Sequence, residues 1–567
     1  MIGFFCVLHP YFCSSESILQ RIIERRQKLH DLYAQHSGLI DASRLAHLNG
    51  TRVHIDSTEL QEVWSQAPVH YGNIESWNHV YVHVPFCKSI CSFCNYERLR
   101  PSSTQELENY VAQIVKQIQM LGDSVRHLEF SSIYFGGGTP SVLSPVFLET
   151  IMKTLEDSLQ FHPQNSRHFE FDPAIMNAEK LQVLQKYGFQ RLSFGVQSLD
   201  ASVNQNHNRG PQSRKILEKR FLELKEAQID DVACDILLGL AGTTPGQMLD
   251  EISEILQKYR PNRIDIFMIT PTQDYVDGHF SSSFELFWSH LQQFEIEVLP
   301  LIPEIAEKNG YKLKTGIGHR MTLQRKQNKQ MPPRVIRSYN PLSHQQGAPV
   351  NVLAFGPSAR GSIFNALQYE NMRQGEDWFV EGYRIQPYDE ARIHLCYELR
   401  DKNIIDQKKF QLLHHMSFDQ RFPLAHHVWK QEGLWNPETH SLQDQTRLER
   451  TKSLMWLVEE ERIEDEIARH LQFDLTKSGI LEHISPFQEG SIVDPNLNVV
   501  IHQVDVKRIV LKKENQTFAF RVAPGWGKED AFRCIALDSI PIHLKDAIRR
   551  IVSILRKISQ RYRRILS

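Results

Sequence analysis

From residue 79 to residue 270 short β-rich runs alternate with amphipathic stretches, and this limits the folds open to the chain. The runs are HVYVHVPF (79–86), SSIYFGG (131–137), HFEFDP (168–173), RLSFGVQ (191–197), VACDILLGL (232–240) and RIDIFMIT (263–270). Aliphatic, β-branched and aromatic residues fill them, as strands require. Between them ELENYVAQIVKQIQML (106–121), VFLETIMKTLEDSL (146–159) and AEKLQVLQKYG (178–188) place apolar residues every three or four positions. Repeated strand–helix units predict an α/β fold around a parallel sheet. In such folds chemistry gathers where the strands end and the following loops begin.

Outside this stretch the patterning changes. Residues 1–75 read as a helical, polar extension, with Ile18, Leu19, Ile22, Ile23, Leu29 and Leu32 at roughly helical spacing. Residues 385–470 are dominated by helical periodicity, and 471–567 read as an α+β tail closed by a basic amphipathic helix. The remaining divisions are a core over 76–330 and a connection over 331–384. At 567 residues several domains are expected, and a formal charge of −2 gives no basic signature for nucleic acid. No run reaches the roughly 18 apolar residues of a membrane span, and the first residues lack a basic leader segment. Five cysteines are scattered without framework spacing, which suits a reducing, cytoplasmic setting.

The other three of the eight cysteines stand together, in FCKSICSFCNY (86–96). Cys87, Cys91 and Cys94, spaced Cx3C and then Cx2C directly after a strand, are metal-ligand spacing. A structural zinc wants four protein ligands, for which His83 is the nearby candidate. A [4Fe–4S] cluster on three thiolates leaves one iron open to an outside ligand. Spacing alone leaves both open.

The segment YVHVPFCKSICSFC resembles the signature of the radical S-adenosylmethionine (SAM) enzymes, and specifically that of the oxygen-independent coproporphyrinogen III oxidase-like family, which opens this motif with Tyr-x-His-x-Pro. Four further segments match in order: IYFGGGTPSVL, FEFDP, RLSFGVQSLDASVNQNHNRG and DILLGLAGTTPGQ. The resemblance covers residues 80–320, and more weakly runs to 470. It implies a partial (β/α)6 TIM-type barrel, a helical, winged-helix-like domain behind it, and a [4Fe–4S] cluster on Cys87, Cys91 and Cys94. It further implies that Gly137, Gly138 and Thr139 meet the methionine end of SAM, and that Arg209 pairs with its carboxylate. Gln197 and Asp235 would hold the ribose, Glu170 another polar part, and Tyr81 and Phe93 would line the pocket. One SAM is implied directly; relatives that use two leave a second open. A small-molecule or tetrapyrrole substrate and an electron donor such as flavodoxin or ferredoxin follow as expected partners.

Departures narrow the expectation. The porphyrinogen decarboxylase carries a further cysteine two residues after the third ligand, where this chain has Tyr96. The haem-chaperone branch has an HNxxYW element where this chain reads GAPVNVLAFGPSARG. Relatives with the same core, the class C methyltransferases, cyclopropanases and haem-opening methyltransferases, then fit best, acting on a conjugated or tetrapyrrole-like substrate. Coproporphyrinogen oxidation proper and non-catalytic haem binding stay open as alternatives. Three weaker signals complete the reading. GPSARGS (356–362) is a loop candidate for substrate contact, the pairs His414–His415 and His426–His427 read as packing or surface residues, and the C-terminal helix as docked on its own domain rather than on a membrane surface.

Overall fold

The computed structural model describes residues 52–94, 96, 98–210, 212–229, 231–269, 272–315, 320–326, 349–372, 379–385, 387–402, 404–443, 453–454, 456–457 and five short strands between 492 and 535. Six strands follow the runs seen in the sequence: β2 (Trp77–Val84), β3 (Glu129–Gly137), β4 (Gln160–Glu170), β5 (Arg191–Gln197), β6 (Asp231–Leu238) and β7 (Arg263–Met268). They lie side by side in chain order and all are parallel. Because every crossover steps one strand in the same direction, right-handed connections put the helices on one face. A doubly wound sheet would instead reverse direction at a switch point. The expected α/β barrel is therefore present, and it is partial: among the described residues no ladder joins the two ends of the sheet.

Strand alternation divides each strand between two environments. Val80, Val82, Val84, Ile133, Phe135, Phe169, Leu192, Phe194, Val196, Cys234, Ile236, Ile264 and Ile266 are at most 3% exposed and join the apolar core. The alternate positions carry His79, Tyr81, His83, Tyr134, His168, Glu170, Ser193, Asp235 and Asp265, so the inner face of the barrel is polar. These groups are satisfied partly by one another, as with His79 and Ser132 Oγ at 2.6 Å and His168 and Ser193 Oγ at 2.7 Å.

The connecting helices include α2 (Thr104–Gly122), α3 (Pro145–Ser158), α4 (Ala178–Lys186), α5 (Ala201–Asn206), α6 (Arg214–Glu226), α7 (Pro245–Glu254), α8 (Gln273–His279) and α9 (Phe284–Glu297). Each begins at a Ser, Thr, Asn or Asp whose side chain accepts a backbone N–H from the first turn: Ser103, Ser144, Asn177, Asp200, Ser213, Thr244, Thr272 and Ser283. The boundaries therefore fall close to where the sequence placed them.

Elsewhere the structure departs from the sequence reading. The sheet has 13 strands, because β10 (Val350–Phe355) pairs in parallel with β2, and β11 (Arg360–Ile363), β12 (Leu367–Asn371) and β13 (Val380–Arg384) continue as an antiparallel meander. The segment expected as a connection over 331–384 thus contributes four strands to the sheet. Within the extension expected to be helical over 1–75, the described part contains β1 (Val53–Ile55), which pairs with β13, as well as α1 (Ser57–Ser65). At the other edge β9 (Arg320–Arg325) and β8 (Tyr311–Thr315) add antiparallel strands.

The described residues from 52 to 402 fall in one compact unit, and those from Ile404 onward in another. The second contains α10 (Gln407–His414), α11 (Phe418–Arg421) and α12 (Pro423–Gln431), with a short hairpin of Trp435–Asn436 against Ser441–Leu442. It also contains an antiparallel five-stranded sheet over 492–535. The basic helix expected near the C-terminus lies outside the described residues. Among the described residues no helix is long and apolar enough to cross a membrane.

Candidate cluster and cofactor site

Directly after β2 the chain turns into the cysteine loop, and backbone hydrogen bonds hold it there. Cys87 N donates to Leu99 O (2.8 Å) and Leu99 N to Pro85 O (2.8 Å), closing the loop at its base. Gly138 N donates to Val84 O (2.7 Å) and Thr139 N to Phe86 O (2.8 Å), tying it to the end of β3. The Thr139 hydroxyl donates to Cys87 Sγ at 3.4 Å. The three cysteines are free thiols, with Cys91 buried and the others half-buried.

The glycines expected to admit a ligand do something more local. A Cβ on Gly137, whose φ is +106°, would sit 2.6 Å from the His83 ring. A Cβ on Gly138 would meet the Phe86 carbonyl oxygen at 2.7 Å and two more backbone atoms at 2.9 Å. Gly138 is therefore needed for the cysteine loop to seat at the end of β3, and Gly137 for the His83 ring to lie against it. Gly356, in the Gly-rich 356–362 segment at the end of β10, is required in the same way, since its Cβ would lie 2.4 Å from His83 O.

Arg209, after α5, donates to Gly195 O at 2.7 Å and faces Cys91 and Asp172. Burial works against its charge, but these two partners outweigh it and raise its pKa. In return Arg209 opposes the burial that pushes the Cys91 thiol upward, as Thr139 does for Cys87. On the inner face Glu170 accepts a hydrogen bond from the Tyr134 hydroxyl. Burial pushes its carboxyl up to about 7 against the hydrogen bonds of Tyr134 and Gly137. Asp235, in register with Gly195 and Asp265, acts electrostatically on the same Tyr134. Tyr81 packs against Tyr134 at 5.8 Å between ring centroids, and its hydroxyl lies 2.9 Å from His83 Nδ1. Gln197 ends β5 with φ +64°, and its buried side-chain carbonyl oxygen has no hydrogen-bond partner.

A raised carboxyl pKa has a consequence for stability. Folding with Glu170 protonated is favourable below its unfolded pKa of about 4.3, and that contribution is lost as pH rises through about 7. Glu170→Gln should therefore flatten the decline in Tm that the cofactor-free wild type shows between pH 5 and 8, measured by calorimetry. A wild-type Tm slope reproduced in full by the variant would contradict this.

The residues expected from the sequence thus converge at the ends of β2 to β6. Phe93 is the exception in emphasis: it packs at 5.8 Å on the His207 ring and against the apolar cluster of Leu240, Met268, Tyr275 and Phe287. The sequence reading missed Tyr134, Asp172 and His207. Asp172 was visible in FEFDP; Tyr134 and His207 have no local pattern to mark them.

The donor set fits an iron–sulfur cluster. Cys91 and Cys94 both act electrostatically on Cys87, so the three thiols face a common space. A cubane takes each thiolate on a different iron. The unpartnered Gln197 carbonyl oxygen at the strand ends, with Arg209 close by, fits a polar ligand such as SAM.

Comparison with known proteins agrees. Residues 81–255 match the Radical SAM superfamily, whose members use a [4Fe–4S] cluster and SAM. The chain is 29% identical over 197 residues to the oxygen-independent coproporphyrinogen III oxidase of Pseudomonas aeruginosa, covering 33% of this chain and 41% of that enzyme. It is 32% identical over 168 residues to an anaerobilin synthase of Escherichia coli O157:H7, covering 29% and 37% respectively. The matched segment therefore spans about two fifths of the length of these curated relatives. Among solved structures, the coproporphyrinogen III oxidase HemN of Escherichia coli superposes with a TM-score of 0.59 at 18% identity, over 71% of this chain and 94% of that one. Residues 81–255 therefore form a radical SAM domain, and this core is similar to that of the oxygen-independent coproporphyrinogen III oxidases.

Proposed function

We propose that the protein is a radical SAM enzyme that methylates or alkylates an sp2 carbon of a conjugated, tetrapyrrole-like substrate. The observation that carries the enzyme reading is the meeting of the three-thiol loop with Arg209, Gln197, Asp235 and Glu170 at one set of strand ends. When bound, the cluster and SAM supply one-electron cleavage to a 5′-deoxyadenosyl radical. Cys87, Cys91 and Cys94 hold the cluster in this reading. Arg209 supplies a fixed cation for a carboxylate, Gln197 and Asp235 accept hydroxyl hydrogen bonds, and Gly137, Gly138 and Thr139 form the wall beside the cluster. Glu170, poised near neutral pH beside Tyr134, can hold or release a proton at the inner face. The anaerobilin synthase likeness supports a tetrapyrrole-like substrate and Tyr96 argues against decarboxylation; the oxidases among the relatives support coproporphyrinogen III oxidation as the second reading. A cytoplasmic setting, a flavodoxin- or ferredoxin-like electron donor and a second SAM belong to the same proposal.

The test is product analysis. Anaerobically reconstituted protein is given SAM, dithionite and tetrapyrroles, with Cys91→Ala alongside, and products are followed by mass spectrometry. The expected result is 5′-deoxyadenosine from the wild type alone, with S-adenosylhomocysteine rising when substrate is present. Release of CO2 from coproporphyrinogen III without methyl transfer would replace this reading with the oxidase. Neither product from an intact cluster would leave a haem-binding protein.

A further inference from the structure

Between the second and third cysteines, Ser92 is tied to two distant parts of the fold. Its hydroxyl lies 2.8 Å from His207 Nδ1, just past α5, and 3.0 Å from His279 Nε2, the last residue of α8. Its amide donates to His207 O at 3.0 Å. The other nitrogen of His207, Nε2, lies 2.9 Å from Ala241 O in the loop after β6.

These contacts fix the direction of the chain of hydrogen bonds. A carbonyl oxygen only accepts, so His207 Nε2 carries the proton and donates to Ala241. In a neutral ring Nδ1 is then an acceptor and takes the Ser92 hydroxyl proton. Having donated its one proton, Ser92 Oγ accepts from His279 Nε2–H. Burial lowers the pKa of both imidazoles, which keeps them in the neutral forms this pattern needs.

The surroundings are closely packed. His207 is fully buried. Its ring packs on Tyr275 at 5.7 Å and on His279 at 4.5 Å, with Phe93 of the cysteine loop at 5.8 Å. Ala241 is held from its other side as well, because its N–H donates to the Tyr275 hydroxyl at 2.9 Å. Between Cys91 and Cys94 the loop makes one turn of its own, closed by Cys94 N–H to Cys91 O at 3.2 Å, and the Ser92 bonds tie that turn to α5 and α8.

We propose that Ser92, His207 and His279 form a directional hydrogen-bonded brace that positions the Cys91–Cys94 segment and thereby sets how firmly the thiolates retain the cluster. The proposal rests on the cluster reading above. His207 and His279 are positioning residues in it: they act on the cluster through Ser92. The brace also makes the cluster loop answer to the β6 loop and α8, which lie on the far side of the strand ends from β3.

The test uses the full chain carrying Ser92→Ala, His207→Ala, His207→Asn or His279→Ala, reconstituted anaerobically beside the wild type. A ferrous chelator is added, and the rate of iron loss is read. Hydrogen exchange across residues 87–99 is measured on the cluster-free proteins. Ser92→Ala and His207→Ala should each lose iron about fivefold faster, the effect of one net hydrogen bond, with faster exchange at residues 91–94. His207→Asn, whose side-chain oxygen can accept from Ser92, should recover part of the difference. A merely structural role for His207 would lower Tm in His207→Ala yet leave Ser92→Ala like the wild type. Should His207→Ala fail to fold, Ser92→Ala decides, since its side chain is small and half-buried. Iron loss and exchange unchanged in Ser92→Ala overturn the brace alone. A wild type that takes up no cluster overturns both the brace and the proposed function.

Discussion

Gly138→Ala should yield a folded chain that takes up iron and sulfide about tenfold or more poorly than the wild type. The added Cβ would meet Phe86 O at 2.7 Å and the Pro85 carbon and Val84 oxygen at 2.9 Å. All three are backbone atoms, so no side-chain rotation relieves the contact. Overpacking of this kind costs about 1–3 kcal/mol, which a domain of this size survives. The displaced segment, however, is the one that leads into Cys87, and the Gly138 N–H to Val84 O bond would lengthen with it. Loss of ligand positioning lowers metal affinity by about 10- to 100-fold where a supporting contact goes. Iron and sulfide content per chain, with Tm as the control for folding, checks this; normal loading at a lowered Tm would contradict it.

Phe135→Ala should cost about 3–5 kcal/mol of stability, the range for emptying a buried aromatic site. Phe135 is fully buried two residues ahead of Gly137, and its ring meets Phe169 at 5.7 Å and Phe189 at 5.8 Å. It joins β3 to β4 on the helix-facing side, immediately behind the strand end that carries the glycines. That loss is a large share of the roughly 5–15 kcal/mol available to a folded domain. Denaturant unfolding of the cofactor-free protein should show it as a lower midpoint. Phe135→Leu, which keeps most of the volume, should recover much of it.

The six central strands were legible because each is a short apolar run bounded by loop residues. Burial on one face and polar residues on the other left a period of two that the sequence displays directly. RLSFGVQ spans the same residues as β5, and the runs around β2, β3, β6 and β7 differ from the strands by a few residues. The three helix starts placed in the sequence were legible too, and Ser103, Ser144 and Asn177 cap them. The outer strands were not. Val350 pairs with Trp77 and Val53 with Gly382, and nothing local to either partner records a contact made across hundreds of residues.

The candidate site follows the same division. Cys87, Cys91 and Cys94 announce themselves by spacing, Glu170, Gln197 and Asp235 by polarity within strand runs, and Arg209 only by resemblance, since it follows α5. The groups that orient them were hidden. Tyr134 looks like one more aromatic in a β run until the alternation places it inward beside Glu170. His207 sits in a polar stretch, QNHNRG, where no periodicity distinguishes it, and its partners Ser92, Ala241 and His279 come from three separate segments. The close approaches at Gly137 and Gly138 were hidden for a related reason: the residues they admit, His83 and Phe86, belong to another strand and its loop.

In the function proposed above, three thiolates hold a cluster with one iron left for SAM. The most direct measurement is iron and sulfide content with low-temperature electron paramagnetic resonance of the dithionite-reduced protein, before and after SAM is added. Iron and sulfide should appear in the ratio of a [4Fe–4S] cluster, with a reduced-cluster signal that shifts on SAM addition, and both should be lost in Cys91→Ala. Tightly bound zinc with no sulfide, or a reduced cluster whose signal is indifferent to SAM, would contradict it.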